Sequence, residues 1–206
     1  MNNKTNTLLP LLAGIIIGLF IAPWLIPTMG FGGMMGRRNV TNTNTSGLGI
    51  AQALDQHFIE QMIPHHEGAI AMATLALKKA VHPEIKTLAE AILVAQTAEN
   101  EDMRTWYKEW FGENVPEGRF GFSGGMMSGS GMHMGSRDDI SVLENAADFD
   151  KEFIEQMIPH HQMAIMMARM LEAGTQRPEM QELAKNIQES QADEIEQMQE
   201  WYQAWY

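Results

Sequence analysis

Two adjacent histidines occur twice in this sequence, each time behind a methionine, an isoleucine and a proline. The nine residues FIEQMIPHH stand at 58–66 and again at 153–161. Imidazole is a ligand for copper, zinc, iron and nickel, and the methionine thioether selects Cu(I). The chain has no cysteine, so a thiolate site and a disulfide framework are both excluded. A metal would have to bind through imidazole, thioether and carboxylate groups.

The nonapeptide belongs to a longer internal repeat. A shift of 95 residues aligns 58–110 with 153–205 without a gap, and 25 of the 53 aligned positions are identical. Apolar residues recur at spacings of three and four in each copy, which predicts amphipathic helices. Pro83 and Pro178, each followed by a glutamate, mark the start of a second helix. Gly174 is the predicted C-cap of the helix before Pro178.

Two helical hairpins predict an all-α fold, a four-helix bundle. We assign the first hairpin to residues 51–111 and the second to 141–206. Residues 30–50 and 112–140 are rich in Gly, Ser, Asn and Thr, which predicts flexible linkers. The remaining segment, residues 1–29, is assigned to a membrane anchor or signal.

The hairpin geometry brings the polar residues of all four helices to one level. Within each hairpin, a residue before the turn faces the residue that follows the same turn at an equal distance. An error of two residues in the position of the turn shifts this register by only about 3 Å. The polar layer suggests a metal site, whereas the alternative is a layer of His–Glu and His–Gln hydrogen bonds that sets helix register. The layer contains His65, His66, Gln96, Glu99, His160, His161, Gln191 and Glu194, and the methionine pairs at this level are Met62 with Met103 and Met157 with Met198.

Methionine is abundant, at 18 residues, and several lie in the predicted linkers. Glycine spacing would let thioethers surround one soft ion such as Cu(I), or Ag(I) by similarity. The alternative is a low-complexity tether. These linker residues are Met34, Met35, Met126, Met127, Met132, His133 and Met134. A further run in the second hairpin is interpreted as core or helix-interface packing: Met163, Met166, Met167 and Met170.

The N-terminal stretch Leu8–Ile26 is apolar and uncharged. A helix needs about 20 such residues to cross a bilayer. Bulky residues stand where a signal peptidase would need small ones, which favours an uncleaved anchor. We expect the rest of the chain to lie in the periplasm or outside the cell. The alternative is secretion after signal cleavage.

The charge balance excludes some partners. The chain has 14 Lys+Arg against 26 Asp+Glu, a formal net charge of −12. Nucleic-acid binding needs a basic surface, and so does docking to anionic lipid. We therefore expect no nucleic-acid partner, and contact with the membrane only through the N-terminal helix.

These motifs resemble the bacterial family known as domain of unknown function 305. The pattern F-x3-M-x2-H-H-x2-A-x2-M-A is followed by Q-x2-E-x3-M-x2-W, and both occur in each copy. The resemblance implies a ferritin-like helical bundle, often exported, with some periplasmic copper-binding members. It adds Met72 and Met167 to the candidate ligands.

The leading functional hypothesis is that the protein binds Cu(I), or Cu(II) as a further ion. This binding would serve sequestration of copper, resistance to copper, or transfer of copper to a copper-transport partner. A di-metal carboxylate oxidoreductase is the second hypothesis, but that chemistry uses Glu-x-x-His motifs. These helices contain no such motif, because Met62 and Met157 occupy the glutamate position. A structural module with a buried histidine layer is the third. We expect a binding protein rather than an enzyme.

Overall fold

The computed structural model describes residues 45–116 and 137–206, which form α-helices and contain no β-strand. The all-helical prediction is confirmed. Helices α1 and α2 form the first hairpin, α4 and α5 form the second, and the hairpins meet through α1 and α4. In chain order the helices are α1 (Thr45–Lys79), α2 (Pro83–Phe111), α3 (Arg137–Glu144), α4 (Phe149–Gly174) and α5 (Pro178–Trp205).

Proline begins the second helix of each hairpin, as predicted. Pro83 is the first residue of α2 and Pro178 is the first residue of α5, with a glutamate in each first turn. Proline suits this position because a first-turn N–H has no intrahelical acceptor to lose. Helix α4 starts differently, since the Asp148 side chain accepts a hydrogen bond from the Lys151 backbone N–H (3.1 Å).

Two glycines end helices for different reasons. Gly112 follows α2 with a φ of 76°, a left-handed conformation that favours glycine. The predicted C-cap role of Gly174 is wrong, because Gly174 is the last helical residue of α4 and Thr175 is the cap, in an extended conformation. A Cβ atom at Gly174 would lie 2.5 Å from Leu54 Cδ2. A larger residue there would require the Leu54 side chain to move.

The short helix α3 was not predicted. It spans the boundary placed between residues 140 and 141, and it packs against α1 and α4. Leu143 is fully buried and Ile140 packs beside it. Eight residues contain too few turns for a clear apolar period, which explains why the sequence pattern missed this helix. Helix α1 likewise begins at Thr45, inside the predicted linker.

Two apolar clusters fill the interior. The first apolar cluster lies around the α1–α2 turn and includes Ala80 and Ile85, and the second lies around the α4–α5 turn and includes Leu171 and Met180. Each contains side chains from α1, α2, α4 and α5. Along α1 the second cluster precedes the histidine pair and the first follows it, and along α4 the order is reversed. The two helices therefore run antiparallel, and both histidine pairs lie between the clusters.

The proposed membrane anchor, residues 1–29, lies outside the described residues. Of the helices within 45–116 and 137–206, none has an apolar stretch sufficient to span a bilayer.

Candidate metal centre

One histidine of each pair is bonded to the glutamate predicted to face it. His66 Nε2 donates to Glu99 Oε2 at 2.7 Å, and His161 Nε2 donates to Glu194 Oε2 at 2.6 Å. Both imidazoles are fully buried, whereas the carboxylates are partly exposed. The register predicted from equal distances to the turns is therefore confirmed in both hairpins. Each bond also orients its ring, because the carboxylate accepts and the imidazole must donate.

The other two histidines meet across the interface between the hairpins. The rings of His65 and His160 have centroids 3.7 Å apart, tilted by 46°. Each lies beside its own neighbour, with centroids of 6.4 Å to His66 and 6.3 Å to His161. Four imidazoles thus form a continuous row through the middle of the molecule. The central two are in contact, so an ion binding between them would require the rings to turn.

Most nitrogen atoms in this row have no hydrogen-bond partner among the described residues. Such buried atoms are rare in folded proteins, and each needs a physical explanation. The amide oxygens of Gln96 and Gln191, on α2 and α5, are unpartnered as well. The six ring atoms are Nδ1 and Nε2 of His65, Nδ1 and Nε2 of His160, Nδ1 of His66 and Nδ1 of His161.

Burial keeps the central imidazoles neutral. It lowers the pKa of His65 well below 6.5, and the charges that His160, His66 and His161 would carry lower that pKa further. Burial, followed by His161 and His66, lowers the pKa of His160 to about 3. The backbone of His160 raises the pKa of His65 and the backbone of His65 raises the pKa of His160, but burial outweighs both effects. A metal-binding histidine must be deprotonated, and these two are deprotonated at neutral pH.

Thioethers lie on both sides of the imidazole row. Met62 and Met103 belong to the second apolar cluster, and Met157 and Met198 belong to the first. All four side chains are fully buried. Each predicted methionine pair therefore occupies one cluster. Met62 and Met157 each precede their histidine pair by about one helical turn, so a thioether lies in the cluster on each side of the row.

The remaining methionines of the second hairpin differ in exposure. Met167 packs partly buried against the second cluster, whereas its counterpart in the first hairpin, Met72, is fully buried in the first cluster. Met166 and Met170 are 50% and 62% exposed. The packing interpretation is therefore wrong for these two residues, because their position on α4 faces away from both clusters. The linker candidates lie outside the described residues: Met34, Met35, Met126, Met127, Met132, His133 and Met134.

Both carboxylates of the polar layer are already bonded to histidines. Within the part of the chain that the structure describes, no three His, Asp or Glu side chains are grouped so that they could hold one metal ion. Glu99 and Glu194 each bind the Nε2 of a histidine, an arrangement that elsewhere orients metal-binding imidazoles.

One buried residue of the polar layer was not predicted. Asn100 on α2 is buried, and its Oδ1 has no hydrogen-bond partner among the described residues. Its counterpart in the second hairpin is Ile195. Because this position is polar in only one copy, the internal repeat gives no signal for it.

The family model for a domain of unknown function, DUF305, matches residues 55–202. The chain belongs to this family. The match includes both hairpins and all four histidines of the row, so the resemblance found in the motifs is confirmed. The family has no assigned activity.

Solved structures of CopM are similar to this chain. CopM in the Cu(II)-bound form is 48% identical, with a TM-score of 0.63, over 74% of this chain and 98% of that chain. Its Cu(I)-bound form is also 48% identical, and a silver-bound form is 47% identical, over 97% of each of those chains. A DUF305 fragment from Deinococcus radiodurans, at 24% identity, has a TM-score of 0.63 over 75% of this chain and 98% of that one. This last likeness concerns the fold alone.

One viral protein shares a shorter segment. The uncharacterized protein L153 of Acanthamoeba polyphaga mimivirus is 43% identical over 49 residues. The match covers 24% of this chain and 32% of the viral protein. It is too short to carry any functional argument.

Proposed function

We propose that this protein binds copper outside the cytoplasm, for sequestration, resistance or transfer, through the buried imidazole row and the methionines around it. The observation that carries the proposal is the pair His65 and His160, whose four ring nitrogens are buried, neutral at neutral pH and without a hydrogen-bond partner in the part of the chain that the structure describes. These nitrogens come from different hairpins, so one ion could engage both halves of the repeat.

The energetics support a ligand at this level. A buried polar group without a partner costs about 1–3 kcal/mol. The row and the amides beside it contain several such groups, whereas a layer that served only packing would satisfy them. A metal ion or ordered water could relieve the cost. Two features favour a metal: the imidazoles are deprotonated at neutral pH, and thioethers, which are poor partners for water, border them.

The donor chemistry favours Cu(I), with Cu(II) and Ag(I) as further ligands. Imidazole with thioether is a soft donor set, and thioether selects Cu(I). The likeness to CopM, which has been solved with Cu(II), Cu(I) and silver, supports the same choice. The sequence identity of 48% over 98% of that chain makes it reasonable to extend metal binding to this protein.

We propose binding rather than catalysis. A di-metal carboxylate centre needs several carboxylates directed at the ions. Here each layer glutamate is bonded to a histidine, and His66 and His161 face Glu99 and Glu194 through Nε2. We assign these two carboxylates an orienting role, which leaves Nδ1 of each ring free. The apolar segment 8–26, outside the described residues, would tether the domain to the membrane, and a copper-transport protein would be its partner.

The test is a Cu(I) competition titration with a chromophoric chelator. His65→Ala with His160→Ala should lower the affinity of the full chain for Cu(I), while circular dichroism shows unchanged helical content. His57→Ala is the matched control, because His57 is on the same helix but is exposed and should bind copper no differently from the parent.

Two outcomes would contradict the proposal. Equal Cu(I) affinity in the double variant and the parent would make the row a structural layer. A purified protein that retains iron in preference to copper, and consumes oxygen with a reductant, would favour the di-metal oxidoreductase instead.

A further inference from the structure

A proline interrupts each histidine-bearing helix directly before its histidine pair. Pro64 lies inside α1 and Pro159 lies inside α4. A proline has no backbone N–H, so the carbonyl four residues earlier loses its usual helical donor. The two carbonyls concerned belong to Glu60 and Glu155. The helical turn that leads into each histidine pair is therefore held less firmly than the turns around it, and such turns are where helices bend.

The side chains of the same two glutamates are bonded to tyrosines of the opposite helix. The Tyr107 hydroxyl on α2 donates to Glu60 Oε1 at 2.6 Å. The Tyr202 hydroxyl on α5 donates to Glu155 Oε1, also at 2.6 Å. Burial, followed by the bond to Glu60, raises the pKa of Tyr107, and the bond to Glu155 raises the pKa of Tyr202. Both hydroxyls are therefore protonated at neutral pH and can donate.

We call the Tyr107–Glu60 bond the first brace and its repeat-related counterpart, Tyr202–Glu155, the second brace. Each brace lies on one side of a proline, and the bond from the layer glutamate to its histidine lies on the other side. In the first hairpin Glu99 bonds to His66 at 2.7 Å beyond the proline, and the second hairpin repeats this order. Helices α2 and α5 contain no proline after their first residue. An uninterrupted helix thus holds the interrupted one at two points that flank the break.

The two braces differ in burial. Tyr107 is fully buried, and Gln56 Nε2 donates both to its hydroxyl at 3.0 Å and to Glu60 Oε1 at 3.3 Å. Tyr202 is only partly buried, and Lys151 replaces the glutamine, with its Nζ 3.9 Å from the glutamate of the second brace. A bond shielded from water is electrostatically stronger than an exposed one. The first brace should therefore hold its helix more firmly than the second.

We propose that Tyr107 and Tyr202 are positioning residues for the imidazole row, acting through the proline-containing turns. Binding side chains need to be held within about 0.5 Å of their productive geometry by the groups behind them. The missing hydrogen bond leaves the histidine-bearing part of α1 or α4 able to tilt, and the brace restrains that tilt. The expected effect on copper rests on the proposed function, whereas the effect on the histidine rings does not depend on copper.

The decisive variant is Tyr107→Phe, which removes only the hydroxyl. In the Cu(I) competition titration of the full chain, its affinity should fall by about 2- to 30-fold, the range for a residue that acts on a ligand through its neighbours. Tyr202→Phe should lower the affinity less, because the second brace is more exposed. Tyr206→Phe is the matched control, since it removes a tyrosine–carboxylate bond to Asp148 (3.0 Å) where α5 ends and α4 begins. It should bind Cu(I) like the parent.

Restoring the missing N–H separates a positioning role from general stabilisation. Pro64 is exposed, so Pro64→Ala removes little packing while it returns the helical donor to Glu60. With that bond in place, the brace has less tilt to restrain, and adding Tyr107→Phe should lower Cu(I) affinity little or not at all. The difference between the two backgrounds is the interaction energy of a double-mutant cycle. A hydroxyl that only stabilises the bundle would lower the stability of the fold and leave the Cu(I) affinity of the folded protein unchanged.

A second measurement needs no metal. The proton on His66 Nε2, shared with Glu99, can be followed by NMR in the metal-free full chain. Tyr107→Phe should speed its exchange with solvent, because the ring is then held on one side of the proline only. The corresponding proton of His161, behind the intact second brace, should exchange as in the parent and serves as the internal control.

Parent-like exchange of the His66 ring proton in Tyr107→Phe would overturn the proposal. A parent-like Cu(I) affinity in Tyr107→Phe would do the same if His65→Ala/His160→Ala has lost affinity, and so would an equal loss in Tyr206→Phe or an undiminished loss in the Pro64→Ala background. Should Tyr107→Phe not fold, Tyr202→Phe repeats both measurements with His161 as the reporter. If the double-histidine variant binds copper like the parent while Tyr107→Phe still speeds ring-proton exchange, the proposed function fails and the positioning role stands.

Discussion

His65 and His160 come from different hairpins, yet their ring centres lie 3.7 Å apart in the middle of the molecule. They are related by the repeat, so the internal symmetry brings one residue of each copy against its own counterpart. Neither ring has a hydrogen-bond partner for its nitrogens among the described residues. The contact between the hairpins is therefore built around groups that packing alone does not satisfy, which is expected where function rather than stability selects the residues.

Replacing both central histidines by leucine should stabilise the metal-free protein. His65→Leu with His160→Leu removes four unpartnered buried nitrogens and keeps an apolar side chain between the two apolar clusters. We expect a gain of about 1–3 kcal/mol in the free energy of unfolding, measured by urea denaturation in the presence of a chelator. Cu(I) binding at the imidazole row should be lost at the same time. Unchanged or reduced stability would mean that ordered water already satisfies the row.

The metal-free protein should lose stability in acid through the same two residues. Unfolded histidine has a pKa near 6.5, and the folded pKa of His65 and His160 is lower. Below 6.5 the unfolded chain therefore binds more protons, so this contribution is complete above pH 6.5 and is lost as the pH falls. For His160 the loss continues to the folded pKa of about 3. Within that window His160 should contribute a slope of about 1.4 kcal/mol per pH unit, and His65 should contribute with the same sign below pH 6.5.

The measurement is urea denaturation of parent and His65→Leu/His160→Leu proteins at several pH values. Carboxylates elsewhere contribute equally to both, so the difference between the two proteins isolates the histidines. A difference that does not grow as the pH falls from 6.5 would show that the two imidazoles are not held neutral in the folded state.

Glu99 and Glu194 should affect the Cu(I) affinity indirectly, because each orients a histidine of the row. Glu99→Gln and Glu194→Gln preserve shape but remove the charge that makes Nδ1 a better donor. We expect Cu(I) affinity to fall by about tenfold or more, the usual effect of losing such a partner, in the same competition titration. Glu101→Gln is the matched control, because Glu101 lies on the same helix and is exposed. Loss of all Cu(I) binding in either variant would instead make the carboxylate a direct ligand.

The methionines of the glycine-rich segment should bind additional Cu(I) more weakly than the row does. Ordering a glycine-rich segment costs about 1–2 kcal/mol of backbone entropy per residue. Replacing Met126, Met127, Met132 and Met134 by leucine removes the thioethers while keeping apolar bulk. The Cu(I) stoichiometry should fall, and thermal unfolding of the metal-free protein should not change. An unchanged Cu(I) stoichiometry would show that this segment is only a tether and binds no copper.

Much of the polar layer could be predicted without coordinates. Helical periodicity and the two prolines placed the turns, and an antiparallel hairpin then has a single local register. The bonds from His66 to Glu99 and from His161 to Glu194 follow from that register. Contacts of this kind lie within one copy of the repeat, where chain connectivity limits the possible arrangements.

Contacts between the copies depended on the tertiary structure. No local rule decides which face of α1 meets α4. Spacing therefore could not predict the approach of His65 to His160. The ion pairs between the hairpins, Arg177 with Asp55 and His82 with Asp150, could not be predicted from it either. Helix α3, with little more than two turns, was missed for lack of periodic signal. The sequence determined which side chains can donate to a metal and at what height along each hairpin they lie. Packing between the hairpins decided which donors meet, because burial of both apolar clusters selects one antiparallel docking of α1 on α4.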